Sequence, residues 1–302
     1  MKTVTNKLTL GILSVILMGS LFTACSKKNG NTVAPPDPIG GFNTSNDVGA
    51  ANLLAHWTFD GSLNESISNT APSTSTGSSF GTGVKGQALT LANGYALYPV
   101  IPKLNLTNFG SITVSSWVKI DNNGKTASNI FSLTQGTATQ TDWNTGLINM
   151  LVETGHPVAT DDTLVLHPSY ATYVTGKIQG GDNINDYGAR ETDFKTVHGT
   201  NKWVHYVVRY RASDSTIDVF ANGVIVSNSN YRKRATGALV LPSLGAQALI
   251  GGFANITTGF ALSPVQPFEG LFTGSIDELR FWNTPLADAD ISSLYQLELA
   301  GR

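Results

Sequence analysis

The 302-residue chain contains one cysteine, so no disulfide can form within it and the fold must rest on core packing and hydrogen bonds. Charged residues make up only 13% of the sequence and sum to a formal −2 with few basic clusters, which argues against a nucleic-acid partner. The five histidines, His56, His156, His167, His198 and His205, show no metal-ligand spacing, and no Gly-x-Ser-x-Gly elbow occurs. Paired acids are missing as well. Retaining glycoside hydrolysis needs two carboxyls about 5 Å apart, and on one strand that requires acids at alternate positions. Asp277 and Glu278 are adjacent, Asp161 and Asp162 fall in a polar turn, and Glu153 has no acid two to five residues away. A catalytic reading is left with acids converging from separate strands, and the balance of residues leans towards a non-catalytic domain that requires no cofactor.

What is present begins at the N-terminus. Lys2 and Lys7 precede an apolar stretch from Leu8 to Phe22, which is short for a membrane span, and Thr23-Ala24 supply small residues before Cys25. The segment Leu21-Phe22-Thr23-Ala24-Cys25 resembles a bacterial lipobox, with Phe22 where Leu, Val or Ile is usual. The resemblance implies a signal peptide over residues 1–24 and lipidation of Cys25. The alternative is an ordinary secretory signal, but exported proteins use cysteines in pairs and this one is alone. Residues 25–51, with Pro35, Pro36, Pro38, Gly40 and Gly41, show no hydrophobic period and read as a flexible tether. Fully stretched, such a leash reaches about 80 Å. The expectation is a lipid-anchored protein of the cell envelope, in the outer membrane of a Gram-negative bacterium, with neither leaflet specified.

Residues 52–302 read as one all-β domain. Segments rich in β-branched and aromatic residues, among them 53–59, 111–120, 129–133, 146–153, 163–167, 203–211, 216–221 and 274–282, alternate with Gly, Asn and Pro. In Ser111-Ile120, Ile112, Val114, Val118 and Ile120 share one face while Thr113, Ser115, Trp117 and Lys119 share the other. Asn93-Gly94 and Asn222-Gly223 predict two-residue hairpins. The one good helical pattern runs from Asp288 to Leu299, after Pro285. No βαβ alternation appears, so the pattern is an antiparallel sandwich with a short C-terminal helix.

Five blocks carry a family resemblance. They are Ala55 to Glu65, Phe80 to Leu89, Phe109 to Lys119, Trp203 to Val208 with Ile217 to Gly223, and Gly274 to Leu286. In this order they resemble the laminin G-like, concanavalin A-like lectin/glucanase jelly rolls. The resemblance implies a two-sheet antiparallel jelly roll. Because that family includes lectins, adhesion modules and enzyme accessory domains, it does not by itself assign a function.

Two sets of residues are candidates for a site. Asp60, Glu65 and Asp277 fit a structural calcium, which takes six to eight oxygens; the competing reading has these carboxylates accepting backbone N–H bonds at strand ends. For sugar binding, Trp143 in Gln140-Thr141-Asp142-Trp143-Asn144 is an aromatic among polar partners, and Tyr170, Tyr173, Tyr187, Asp186 and Arg190 lie in the same irregular stretch. Each of these aromatics has packing at the sandwich rim as its alternative. Trp117, opposite the aliphatic row of its strand, would line a groove if that face is open. The reading is a membrane-anchored, non-catalytic carbohydrate or glycoconjugate binding module, with a protein-interaction module of an outer-membrane uptake complex as alternative and a glycosidase with dispersed acids as a third. Replacing Cys25 by Ser should move the protein from the membrane to the soluble fraction, read by fractionation and by loss of the acyl mass in mass spectrometry.

Overall fold

The computed structural model describes residues 36–155, 159–186, 195–234 and 236–302; Cys25, Tyr187 and Arg190 lie outside them. Residues Asp37–Arg302 form one compact unit. In chain order the first strands are β1 (Leu53–Trp57), β2 (Thr74–Thr82), β3 (Gln87–Val100), β4 (Asn108–Gly110), β5 (Ile112–Ile120), β6 (Ala127–Thr134), β7 (Ile148–Val152), β8 (Leu166–Val174) and β9 (Lys177–Asp182). There follow β10 (Val204–Arg211), β11 (Thr216–Ala221), β12 (Val224–Ile225), β13 (Leu239–Val240), β14 (Gln247–Ile250), β15 (Glu269–Gly270), β16 (Phe272–Trp282) and the helix α1 (Asp288–Leu299).

One 14-stranded sheet runs β12-β11-β10-β5-β16-β3-β14-β6-β7-β8-β9, with β1 on β16, β2 on β3 and β15 on β6, while β4 and β13 pair separately. The sheet curls over itself into two layers. Phe281 of β16 meets Phe131 of β6 at 6.1 Å between ring centroids, and Tyr210 of β10 meets Tyr170 of β8 at 4.8 Å. The predicted alternation in β5 is present: Ile112, Val114, Val118 and Ile120 join the core between the layers.

β3 carries the curl. Its first half pairs with β16 and its second with β14, so Asn93-Gly94, expected as a hairpin turn, lies inside one continuous strand. Asn93 does take the left-handed conformation, at φ 48°, but there it bends the strand from one layer to the next. A side chain on Gly94 would overlap the Thr76 carbonyl of β2, which is why glycine is needed at this crossing. The Asn222-Gly223 hairpin forms as predicted, with Phe220 opposite Ile225 and Ala221 opposite Val224.

A second bend alters the reading of Asp277. Strict alternation would put Asp277 on one face with Leu279 and Phe281, but Glu278 sits at φ 47° and the β16–β5 register shifts between Asp277 and Arg280. Ile276, Leu279 and Phe281 all face the core, so the alternation breaks at the bulge and places Asp277 off that face. Glu278 and Arg280, both fully buried, meet under α1. The Arg280 guanidinium binds Glu278, donates to the Ser45 carbonyl at 2.7 Å and lies 3.4 Å from Glu298 of the helix.

Residues 37–51, assigned to the tether from their composition, belong to the compact unit. Ile39 and Phe42 pack against Trp282, Ile291, Leu294 and Leu297, which supplies the apolar burial that Pro and Gly content concealed. Arg302 donates to the carbonyls of Asn43 at 3.1 Å and Asp37 at 3.0 Å. Replacing Arg280 by Ala leaves Glu278 buried without its cation and should cost about 3–5 kcal/mol, measured as a fall in the urea midpoint; Arg280→Met should cost less.

Candidate functional site

Three strands expose a polar face away from the core. On β7 and β8, Ile148, Met150, Val152, Leu166 and Tyr170 point inwards, so Asn149, His167, Ser169 and Ala171 point outwards by the strand period. Ser169 pairs with Asp182 of β9 and Ala171 with Gly180. The small residues Ser169, Ala171 and Gly180 leave the floor of a depression of about 530 Å³, bounded by Asp142, Trp143, His167, Ile178, Gln179 and Asp182. A side chain at Gly180 would press on the Tyr170 carbonyl, so the floor stays shallow for a backbone reason.

The wall is the loop between β6 and β7. Gln140, fully buried, accepts from the Gln135 N–H at 2.8 Å and donates to the Asp142 carbonyl at 2.7 Å, which closes the loop around its own amide. Asp142 Oδ1 accepts from the Trp143 N–H at 2.7 Å. The half-buried Trp143 ring is held edge-on by Phe253 at 5.7 Å and Phe268 at 5.4 Å. Beneath the floor a polar chain crosses the strands: Asn129 donates to Ser132 at 2.6 Å, Ser132 to Asn149 at 2.7 Å and Asn149 to Ser169 at 3.3 Å.

At one end stands His167, between two carboxylates. Its Nδ1 lies 2.6 Å from Glu153 and its Nε2 2.9 Å from Asp182, and Arg234 binds Asp182 at 2.8 Å. Burial opposes charge on His167, but Asp182 and Glu153 outweigh it and hold the imidazole up at about 9, so it is a cation at neutral pH. The imidazole stands between Glu153 and Asp182 and bridges them. Neither ring nitrogen is directed at the Ser169 hydroxyl.

Of the residues selected from sequence, Trp143 lines the depression. Tyr170 borders it, but its ring faces the core against Tyr210 and its hydroxyl bonds Thr236 at 3.0 Å, so it is not a platform. Tyr173 receives a hydrogen bond from Gln135, and Asp186 accepts from Thr196 at 3.2 Å, away from the cavity. Trp117 is covered rather than open: it stacks on Tyr295 of α1 and donates to Glu298 at 2.8 Å.

The three acids proposed for calcium are not assembled into a ligand set, and no group of three metal-ligating side chains is found among the described residues. Asp60 accepts from Gln87 N–H at 2.7 Å. Asp277 accepts from Val84 and Lys85 at 2.8 and 3.1 Å. Glu65 accepts from His56, Ile67 and Ser68 at 2.9, 2.9 and 2.7 Å. Backbone donors therefore occupy all three, with Asp60 and Asp277 gripping opposite ends of the turn between β2 and β3. Burial, with the Glu278 charge adding to it, nevertheless pushes Asp277 up to about 7, against its three N–H donors.

Sequence reading missed His167, Asp182, Ser169, Ala171 and Gly180. The strand read over 163–167 stops short of Ser169 and Ala171, and none is read over β9, although Thr175-Gly176, at φ 50° and 78°, is a hairpin signal that would have found β8 and β9.

The family model described as the concanavalin A-like lectin/glucanases superfamily, laminin G type, matches residues 92–292. No curated protein matches the chain. Among solved structures, domain 4 of AbnA, an extracellular arabinanase from Geobacillus stearothermophilus solved with arabinotriose, is 19% identical over 81% of this chain and 98% of that one, with TM-score 0.51. The receptor binding domain of botulinum neurotoxin mosaic serotype C/D is 13% identical over 81% of this chain and 50% of that one, with TM-score 0.50. The binding domain of botulinum neurotoxin DC in complex with SialylT is 10% identical over 83% of this chain and 52% of that one, with TM-score 0.50. The chain spans about half the length of these neurotoxin domains, and the likenesses are of fold.

Because His167 binds its proton more tightly folded than at its ordinary 6.5, its stabilisation is full below that pH and is lost as pH rises through about 9. Over this window wild-type protein should lose up to about 3 kcal/mol more than His167→Gln, in which Asp277, raised to about 7, still titrates, as read from urea midpoints at each pH.

Proposed function

This chain belongs to the concanavalin A-like lectin/glucanase superfamily, and from that premise we propose that it is a non-catalytic carbohydrate-binding module held at the cell envelope by lipid on Cys25. The observation that carries the reading is Trp143. Its ring is fixed by Phe253 and Phe268 at the edge of a depression with a small-residue floor and carboxylate and amide acceptors. A sugar ring stacks its C–H face on such an aromatic and gives its hydroxyls to fixed acceptors. A similar domain is bound to arabinotriose, which supports an oligosaccharide as the class of ligand.

The fixed Trp143 lowers the ordering cost of binding, since little rotamer freedom remains to be lost. The anchor adds to this. With residues 37–51 part of the compact unit, the tether expected from composition shortens to residues 25–36, about 40 Å at full stretch. Many copies confined to one surface hold a polymer by avidity even when each contact is weak.

A second reading, a protein-interaction module, is favoured by one feature. Ile256, Leu262, Val265 and Phe268 are exposed on the loop before β15, and apolar side chains gathered on one loop mark contact surfaces. Pull-down from detergent-solubilised membranes separates the two, because a protein partner survives excess sugar. Trp143→Ala should weaken binding to a polysaccharide panel at least about tenfold by isothermal titration with the circular dichroism spectrum retained; unchanged affinity would reject Trp143 as the platform.

A further inference from the structure

The Trp143 ring is seated on a loop whose two ends are fastened to each other. We infer that Glu269 is a positioning residue for the Trp143 platform: it staples the ends of the loop 253–269 together and so presents Phe253 and Phe268 as one fixed seat for the indole. This rests on the depression being the carbohydrate site.

Within its own loop Trp143 is tied through the backbone, by Asp142 Oδ1 at its N–H and by the Gln140 amide at the Asp142 carbonyl. Those bonds set the path of the chain, and the indole turns about two side-chain torsions beyond it. The ring itself is met by two aromatics from elsewhere. Phe253 and Phe268, at opposite ends of one loop, lie edge-on to each other at 5.8 Å, and each lies edge-on to Trp143, at 5.7 and 5.4 Å. The seat holds only as long as both ends of that loop stay together.

Each end is folded locally. At the first, the Asn255 N–H donates to the Phe253 carbonyl at 2.9 Å, and the Asn255 side chain accepts from the Thr257 N–H at 2.8 Å. At the second, the Ala127 N–H of β6 donates to the Phe268 carbonyl at 2.8 Å, and Glu269 pairs with Ala127. Glu269 joins the two. Its Oε2 accepts from the Asn255 side chain at 2.7 Å and from the Gln266 N–H at 3.0 Å, so a single oxygen ties the Phe253 end to the residue after Phe268. Bonds to a carboxylate are the strong, charge-assisted kind.

The staple also works against a repulsion. Burial raises the Glu269 carboxyl above its ordinary value, the bonds from Gln266 and Asn255 lower it, and the Asp142 charge adds to the rise. Asp142 precedes Trp143 and Glu269 follows Phe268, so like charges flank the contact between the two rings. Without the Asn255 bond, that repulsion and the freed loop end would carry Phe268 off the indole. Binding would then bear the cost of ordering the Trp143 side chain, a loss of about two- to tenfold in affinity.

The test follows the fluorescence of Trp143 in the full chain in detergent, taken as the difference between each protein and its counterpart carrying Trp143→Phe. Glu269→Ala should shift this component to the red and raise its quenching by acrylamide. It should also weaken binding to arabinan, galactan or mannan, whichever the wild type binds, by about two- to tenfold in isothermal titration, with the circular dichroism spectrum retained. Glu269→Gln should restore both readouts, because both bonds end on one oxygen and an amide oxygen can receive them. Asn255→Asp keeps the acceptor for Thr257 and sets a second carboxylate against Glu269, so it cuts the staple from the other side and should match Glu269→Ala. A Trp143 component unchanged in Glu269→Ala and Asn255→Asp would overturn the inference and leave the carbohydrate reading standing, and so would a loosened ring with unchanged affinity. Binding of none of the three polymers by the wild type, with the ring loosened in both variants, would overturn the carbohydrate reading while the fluorescence alone upholds the staple.

Discussion

The fold depends on one buried guanidinium. Arg280 is completely enclosed, so its charge must be met by partners brought from separate parts of the chain. Glu278 comes from the bulge in the same strand, Ser45 from the N-terminal segment and Glu298 from the terminal helix. Burial pushes both acids up, but contact with His56 and the charges of Arg280 and Lys85 hold Glu278 down, while Glu298, wholly buried, stays raised. Burial, with Arg280 adding to it, drives His205 down to about 3, so it remains neutral. Lys85 stands 3.7 Å from Glu278 at the edge of the cluster, which is satisfied only when the bulge, the N-terminal segment and the helix are all in place.

This arrangement explains what could and could not be read beforehand. The alternation of β5, the Asn222-Gly223 turn and the bounds of α1 follow from local patterning, and all three appear as expected. Asn93-Gly94 misled because the same left-handed asparagine serves a hairpin or a bend within a strand, and only the pairing partners distinguish them. Asp277 misled for the same reason, since strict period-two reasoning cannot see a bulge. The N-terminal segment looks like tether by composition, yet Ile39 and Phe42 are partly buried against the helix cluster; two apolar residues among prolines and glycines give no period.

The site was legible only in part. Trp143 stood out because an aromatic surrounded by polar residues has no local reason to be buried. Its companions did not, because they come together across sequence distance: Glu153 finds Asp182 through His167, and Asp182 finds Arg234 from a loop far along the chain. The floor is made of what is small, Ser169, Ala171 and Gly180, and small residues carry no signal until the strands that hold them are placed side by side. Function in this fold resides in how loops and strand faces are furnished, while the shared core is indifferent to it.

The meeting of residue 37 with Arg302 has a topological consequence. The chain enters and leaves the domain at a single pole, so a load applied at either end is received by the same hydrogen bonds, those of Arg302 to Asp37 and Asn43. It also means the order of the strands along the chain is not what defines the architecture. A chain joined from residue 302 back to residue 37 and opened at the exposed Thr175-Gly176 turn would retain most of the pairing of the large sheet, so the sandwich is in effect a ring of strands whose two ends happen to fall at one pole.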